Sequence, residues 1–258
     1  MICPEEEQKF DDVYTTKFLP RLFAKANDDV ISILLNQVKN ERSLLNLDRD
    51  KISLFRWLIE LLGHVARSVN RDSIGISVFE KRVTLMHTHS LIVKFLNDTQ
   101  MTSEQSNDIE RVALMEASMY TIQQFARMSH LCSNGFIQES AVPYLTWLLA
   151  SPDKTLSDAA LSTLCVLNDR HVETSFLLIC HDGIPTLVDM IYHDNSVKAK
   201  KLYHTCRSNI PTSLSLLRLR DTRVYMKNIL ACACLFMMLP FGDSNTKEMT
   251  MIRNCICT

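Results

Sequence analysis

The stretch His181-Asp182-Gly183-Ile184-Pro185-Thr186-Leu187-Val188-Asp189-Met190-Ile191 carries the one specific local signature in this chain. Gly183 can take positive φ without a Cβ penalty, and Pro185 has no N–H to lose in a first helical turn, so one helix stops and another starts at a sharp angle. The same pattern stands upstream in Ala141-Val142-Pro143-Tyr144-Leu145-Thr146-Trp147-Leu148-Leu149, and Pro143 and Pro185 set a period of 42 (185 minus 143). The preceding long helices keep that period: Ala117, Met119, Ile122 and Phe125 each fall one period before Ala159, Leu161, Leu164 and Leu167. Periods of roughly 40–47 residues built from two or three helices are those of stacked helical arrays.

A Gly-x-Pro turn before a short helix, preceded by a longer helix of the type Ser157-Asp158-Ala159-Ala160-Leu161-Ser162-Thr163-Leu164, resembles the armadillo repeat. The match is best over residues 110–193, with Ala141 standing where the better repeat has Gly183. The resemblance implies an all-α, right-handed α-solenoid of armadillo-like repeats, with a short first helix over 171–181, a second over 184–192 and long third helices such as 154–168 lining a concave groove. It implies no chemistry.

Composition agrees with a helical array. Five Gly and seven Pro in 258 residues are too few for a turn-rich β protein, and 47% apolar content is enough for a large core. A net charge of −1 supplies no global field for a polyanion, so nucleic acid is an unlikely partner. Of nine Cys, Cys132, Cys165, Cys180, Cys232 and Cys234 sit inside apolar helical patterns and read as reduced core residues. The acidic start Glu5-Glu6-Glu7 is not that of a secretory signal, and the longest apolar run, Ile229 to Phe241, is too short to span a bilayer. A cytoplasmic or nuclear compartment and no transmembrane segment are expected.

Along the chain, residues 1–10 read as a flexible acidic tail and 11–258 as the repeat domain. From Asp48 to Val69, Phe55, Leu58, Leu61, Leu62, Val65 and Val69 recur at three and four, the pattern of an amphipathic helix. A further third helix is due near residue 196, yet Ser196 to Arg220 fits that pattern poorly. Aligning Leu161 with Ile229 and Leu164 with Cys232 restores the core spacing if 195–220 is an insertion, either a loop or an extra helix. That segment is basic, with Lys198, Lys200, Lys201, Arg207, Arg218 and Arg220.

Nothing in the sequence points to catalysis, a cofactor or a metal. No Gly-rich phosphate loop or nucleophile elbow is present, His87 and His89 lie two apart and point to different sides of a helix, and Cys-x-Cys pairs have one residue between them where zinc sites use two to four. The expected function is therefore a non-catalytic scaffold or adaptor, binding an extended peptide or helix of a protein partner along the groove. By the resemblance, the groove positions are Tyr120 with Gln124 and Ser162 with Val166, and Glu116 and Asp158 place acid beside them. The aromatic–amide ladder that import adaptors use for basic localisation signals is missing. The alternative is a regulatory subunit docking through its basic 198–220 segment to a phosphorylated partner or an anionic membrane. The apolar 229–239 run requires cover from the C-terminal residues, from missing repeats or from a partner, so a monomer or a partner-covered C-terminal end is expected.

Overall fold

The computed structural model describes residues 49–69, 80–81, 83–84, 87–98 and 109–209. The acidic tail, the start of the repeat domain before residue 49, the run 229–241 and the C-terminal residues after it lie outside the described residues. Among those described are nine helices and no strand: α1 (Arg49–Val69), α2 (Thr88–Asp98), α3 (Ile109–Met128), α4 (His130–Gln138), α5 (Ala141–Leu149), α6 (Lys154–Arg170), α7 (Val172–Cys180), α8 (Gly183–Asp194) and α9 (Val197–Ser208). The chain divides into two compact units at Ala141/Val142.

The corners are built as the sequence indicates, but by a different residue. Ser140 (φ 65°) and Asp182 (φ 58°), one period apart, take the left-handed conformation just before α5 and α8. Asp can adopt that region more cheaply than most side chains. Gly183 is already the first residue of α8 and is needed for space: a Cβ there would lie 2.7 Å from Leu178 Cγ and 3.0 Å from the Leu178 carbonyl oxygen. That close approach lets α7 and α8 meet at 93°.

In the first unit α1 packs along α3, which also touches α2 and α4. The approach is closest at Gly63, where a Cβ would lie 2.9 Å from the Tyr120 ring and 2.8 Å from Thr121 Oγ1. Thr121 donates its hydroxyl to the Ile59 carbonyl at 2.7 Å, so a buried polar group is satisfied across that seam. The imidazole of His89 on α2 fills the space between Phe125 and Phe136, with ring centroids 6.3 and 4.6 Å away and both rings edge-on. Gly135 leaves room for it, since a Cβ there would sit 2.8 Å from the His89 ring.

In the second unit the long helices are capped at their starts. Asp153 accepts from Thr155 N at 2.9 Å and Leu156 N at 3.4 Å at the head of α6, and its hydrogen bond to the Thr155 hydroxyl lowers its pKa. Ser196 accepts from Ala199 N at 3.3 Å at the head of α9. Helix α9 packs on α6, α7 and α8, and Asn209 just beyond it donates to Ser175, which in turn donates to Asn168 of α6.

Helix α9 occupies part of 195–220, as the extra-helix alternative of the sequence reading has it, and it stands where a third helix is due near 196. Ala199, Leu202, Tyr203 and Cys206 are its buried positions, and they stand one period after Ser157, Ala160, Leu161 and Leu164, all buried on α6. By this spacing Leu161 and Leu164 fall in register with Tyr203 and Cys206; Ile229 and Cys232 lie outside the described residues. The helix is hard to recognise because it has Tyr203 and Cys206 where α6 has Leu161 and Leu164, and its exposed side carries three lysines whose aliphatic stems need no apolar neighbours of their own. Residues 210–220 lie outside the described residues.

Gly183→Ala, which crowds a backbone contact, should cost about 1–3 kcal/mol in urea unfolding, whereas Ala141→Gly at the equivalent corner should cost only about 0.5–1 kcal/mol from added backbone freedom. Equal losses would show that the corner does not depend on the Leu178 contact. His89 is 8% exposed, and burial lowers its pKa to about 4 from an ordinary 6.5, with a bond to the Cys132 backbone pulling weakly the other way. Because the folded pKa is the lower one, the unfolded chain binds the proton more readily. Stability is full above pH 6.5 and falls as pH drops toward 4, by roughly 3 kcal/mol in total. His89→Gln should flatten that part of the stability–pH curve; a variant that tracks the parent through this window would place the acid sensitivity in other groups.

Candidate functional site

Three of the residues expected at the groove share one face of α6, because positions four apart on a helix lie one above the other. Asp158 is exposed, and Ser162 and Val166 are half-buried. Ser162 donates to the Asp158 carbonyl at 2.8 Å and accepts from Lys198 Nζ at 2.9 Å. Further along, Lys201 Nζ stands 3.4 Å from the Asp169 carboxylate, and Cys165 Sγ lies 3.9 Å from the Lys198 carbonyl. Residues 162 and 169 of α6 thus meet 198 and 201 of α9 in the same order, so the two helices run in the same direction. Their outer seam is polar and open to solvent: Lys198 and Lys201 are exposed, and Cys165 and Thr205 are half-buried.

The other expected set lies on α3. Glu116 is half-buried. Tyr120 is half-buried against α1, with its ring centroid 5.3 Å from that of His64 and its hydroxyl 3.4 Å from His64 Nδ1. Gln124, expected on an open face, is 7% exposed. The reason is that α3 is covered on several sides by α1, α2 and α4, leaving twelve of its twenty residues buried. Tyr120 and Gln124 are therefore packing residues of the first unit and do not form the free aromatic–amide pair that the resemblance implied. Glu116, Tyr120 and Gln124 belong to the first unit, and Asp158, Ser162 and Val166 to the second.

Sequence reasoning missed Lys198 and Lys201 as neighbours of Ser162 and Asp169. The available signals are Ser196, a helix-capping residue two positions before Lys198, and Tyr203, one period after Leu161.

The thiols are quiet. Cys132 and Cys180 are buried and Cys165 is half-buried; desolvation pushes their pKa values up to about 12, 12 and 11, so the nucleophilic thiolate is scarce at neutral pH. Cys232 and Cys234 lie outside the described residues. Among the described residues no group of three or more His, Cys, Asp or Glu is placed to hold a metal ion. No single helix among them is long and apolar enough to cross a membrane.

Comparison with solved structures fixes the fold. A designed armadillo repeat protein, in complex with the peptide (KR)4, superposes with a TM-score of 0.53 at 14% identity, covering 89% of this chain and 93% of that one. An engineered protein from a structural genomics consortium gives 0.50 at 14% identity over 99% and 94% of the two chains. The chain has an all-α, armadillo-like repeat fold. No protein-family model and no curated protein matches it.

The difference between the two residue sets can be measured. Gly63→Ala, forcing a methyl against Tyr120 and Thr121, should lower stability by about 1–3 kcal/mol, while Ser162→Ala at the solvent-facing seam should stay within about 0.5 kcal/mol of the parent. A large loss at Ser162 would make the α6–α9 seam a structural element in its own right.

Proposed function

We propose that this protein is a non-catalytic interaction module that binds an extended segment of a protein partner over the seam between α6 and α9. The observation that carries this is the seam itself: two third helices of successive repeats run side by side and present Ser162, Val166, Lys198 and Lys201 outward. Side chains with donors, acceptors and a small apolar surface in one strip suit an extended peptide, whose backbone needs polar partners and whose side chains need shallow pockets. The fold supports the reading, since a designed protein of the same architecture is known in complex with a peptide. Asp158, Ser162 and Val166 retain the role the sequence suggested. Glu116 remains a candidate on α3, while Tyr120 and Gln124 act through packing.

A second reading uses the same helix differently. Lys198, Lys200, Lys201 and Arg207 on α9, with no acidic residue between Val197 and Ser208, would also suit an anionic membrane surface.

Panning a random peptide library against the full chain and measuring the selected peptides by fluorescence anisotropy tests the first reading. The double variant Ser162→Arg, Val166→Glu should weaken selected peptides by about tenfold, as expected when contacts at the centre of an interface are replaced by clashing charge. Unchanged affinity with an unchanged melting temperature would move the site away from the α6–α9 seam.

A further inference from the structure

The geometry points to an acidic segment as the occupant of the α6–α9 seam, an inference that rests on the peptide-binding reading above. Charge along the third helices changes sign at α9. Glu116 on α3 and Asp158 on α6 are followed, one more period on, by Lys200. Around it, α9 carries Lys198, Lys201 and Arg207 and no carboxylate.

The four cations are not equivalent. Lys201 is already paired with Asp169 at 3.4 Å. Lys198 rests its ammonium on the neutral Ser162 hydroxyl at 2.9 Å, with no carboxylate within ion-pair distance among the described residues. The lysine is thereby held over the seam while its charge stays unneutralised. On the neighbouring face, His204 has its pKa lowered by burial first and then by the positive charges of Lys200 and Arg207. The His204 face of α9 thus sees a positive local field, while at Cys165 in the seam Asp169 acts against Lys201 and Lys198; the whole chain carries a net charge of −1.

A cationic segment lying here would bring like charge against Lys198, which costs affinity and slows encounter. An acidic segment would meet Lys198 at the Ser162 step, with Val166 and Cys165 offering apolar contact between polar positions; Lys200, two residues on, points to a different side of α9 and adds only to the field around it. Phosphorylated Ser or Thr falls in the same chemical class, since it offers an oxyanion to the same ammonium groups. Asp158, one turn before Ser162, lies at the Lys198 end of the strip, and Asp169 with Lys201 lies at the other, so a carboxylate of the ligand belongs over Lys198 between them.

The test uses the full chain and three fluorescent octapeptides in which threonine alternates with glutamate, lysine or serine, read by anisotropy at low and raised salt. The glutamate peptide should bind best, should weaken by about tenfold in Lys198→Glu, Lys200→Glu, and should weaken several-fold as the Debye length shrinks with added salt. The milder Lys198→Gln, Lys200→Gln variant, checked for an unchanged melting temperature, should show a smaller loss in the same direction. Preference for the lysine peptide would overturn the acidic occupant while leaving a peptide-binding seam in place. Equal binding of the glutamate peptide by parent and charge-reversed chains would overturn the site. If none of the three peptides binds and phosphatidylserine vesicles do, both the acidic-peptide inference and the reading beneath it fall, and the lysines serve a membrane.

Discussion

The fold depends on a backbone constraint at the α7–α8 corner: a residue in the left-handed region followed by a small residue pressed against the helix before it. At the second corner Asp182 bends the chain and Gly183 lets α8 close onto Leu178. At the first, Ser140 bends the chain and Ala141, fully buried, takes the glycine position. Since the angle between first and second helices is set there, the place where each third helix begins follows from it. Asp153 and Ser196, within one position of a full period apart, cap those third helices.

Each third helix then needs one apolar strip and little more. Met119, Leu161 and Tyr203 occupy equivalent positions at successive periods, as do Ile122, Leu164 and Cys206, and all six are buried. Methionine, leucine and tyrosine differ in shape, yet each removes a large apolar surface from water, which is what the position demands. The opposite strip has no such demand. It is free to vary in chemistry, and it does so: Tyr120 turns onto Gly63 and His64, Ser162 receives Lys198, and α9 is cationic. A constant inner register thus goes with an outer face of variable chemistry.

Much of this is legible in the sequence. The corner at Gly183, the period of 42 set by Pro143 and Pro185, and the helical class all come from apolar spacing and two prolines, signals that survive because they are local or strictly repeated. The sequence suggests conformational freedom as the role of Gly183, and the structure shows space instead, because a sequence reveals which residue lacks a Cβ but not what stands beside it. Helix α9 passes for part of an insertion because its buried positions are Ala, Leu, Tyr and Cys among lysines, too weak an apolar stripe to stand out without the neighbouring helices. Gln124 misleads for a related reason: a polar residue in register with a groove position looks accessible until the cover supplied by neighbouring helices is known. Burial is a property of the assembled unit, not of the residue.

The seam and its charge exist only if α9 is a packed third helix in register with α6. Native-state hydrogen exchange resolved along the chain tests this most directly, because amides in a packed helix open only with the unit that holds them. Amides of 201–206 should exchange slowly and together with those of 160–167, both slowing or quickening in parallel as denaturant is added. Exchange of 201–206 at the rate of an unstructured peptide, with 160–167 still protected, would return the segment to an insertion and remove the seam.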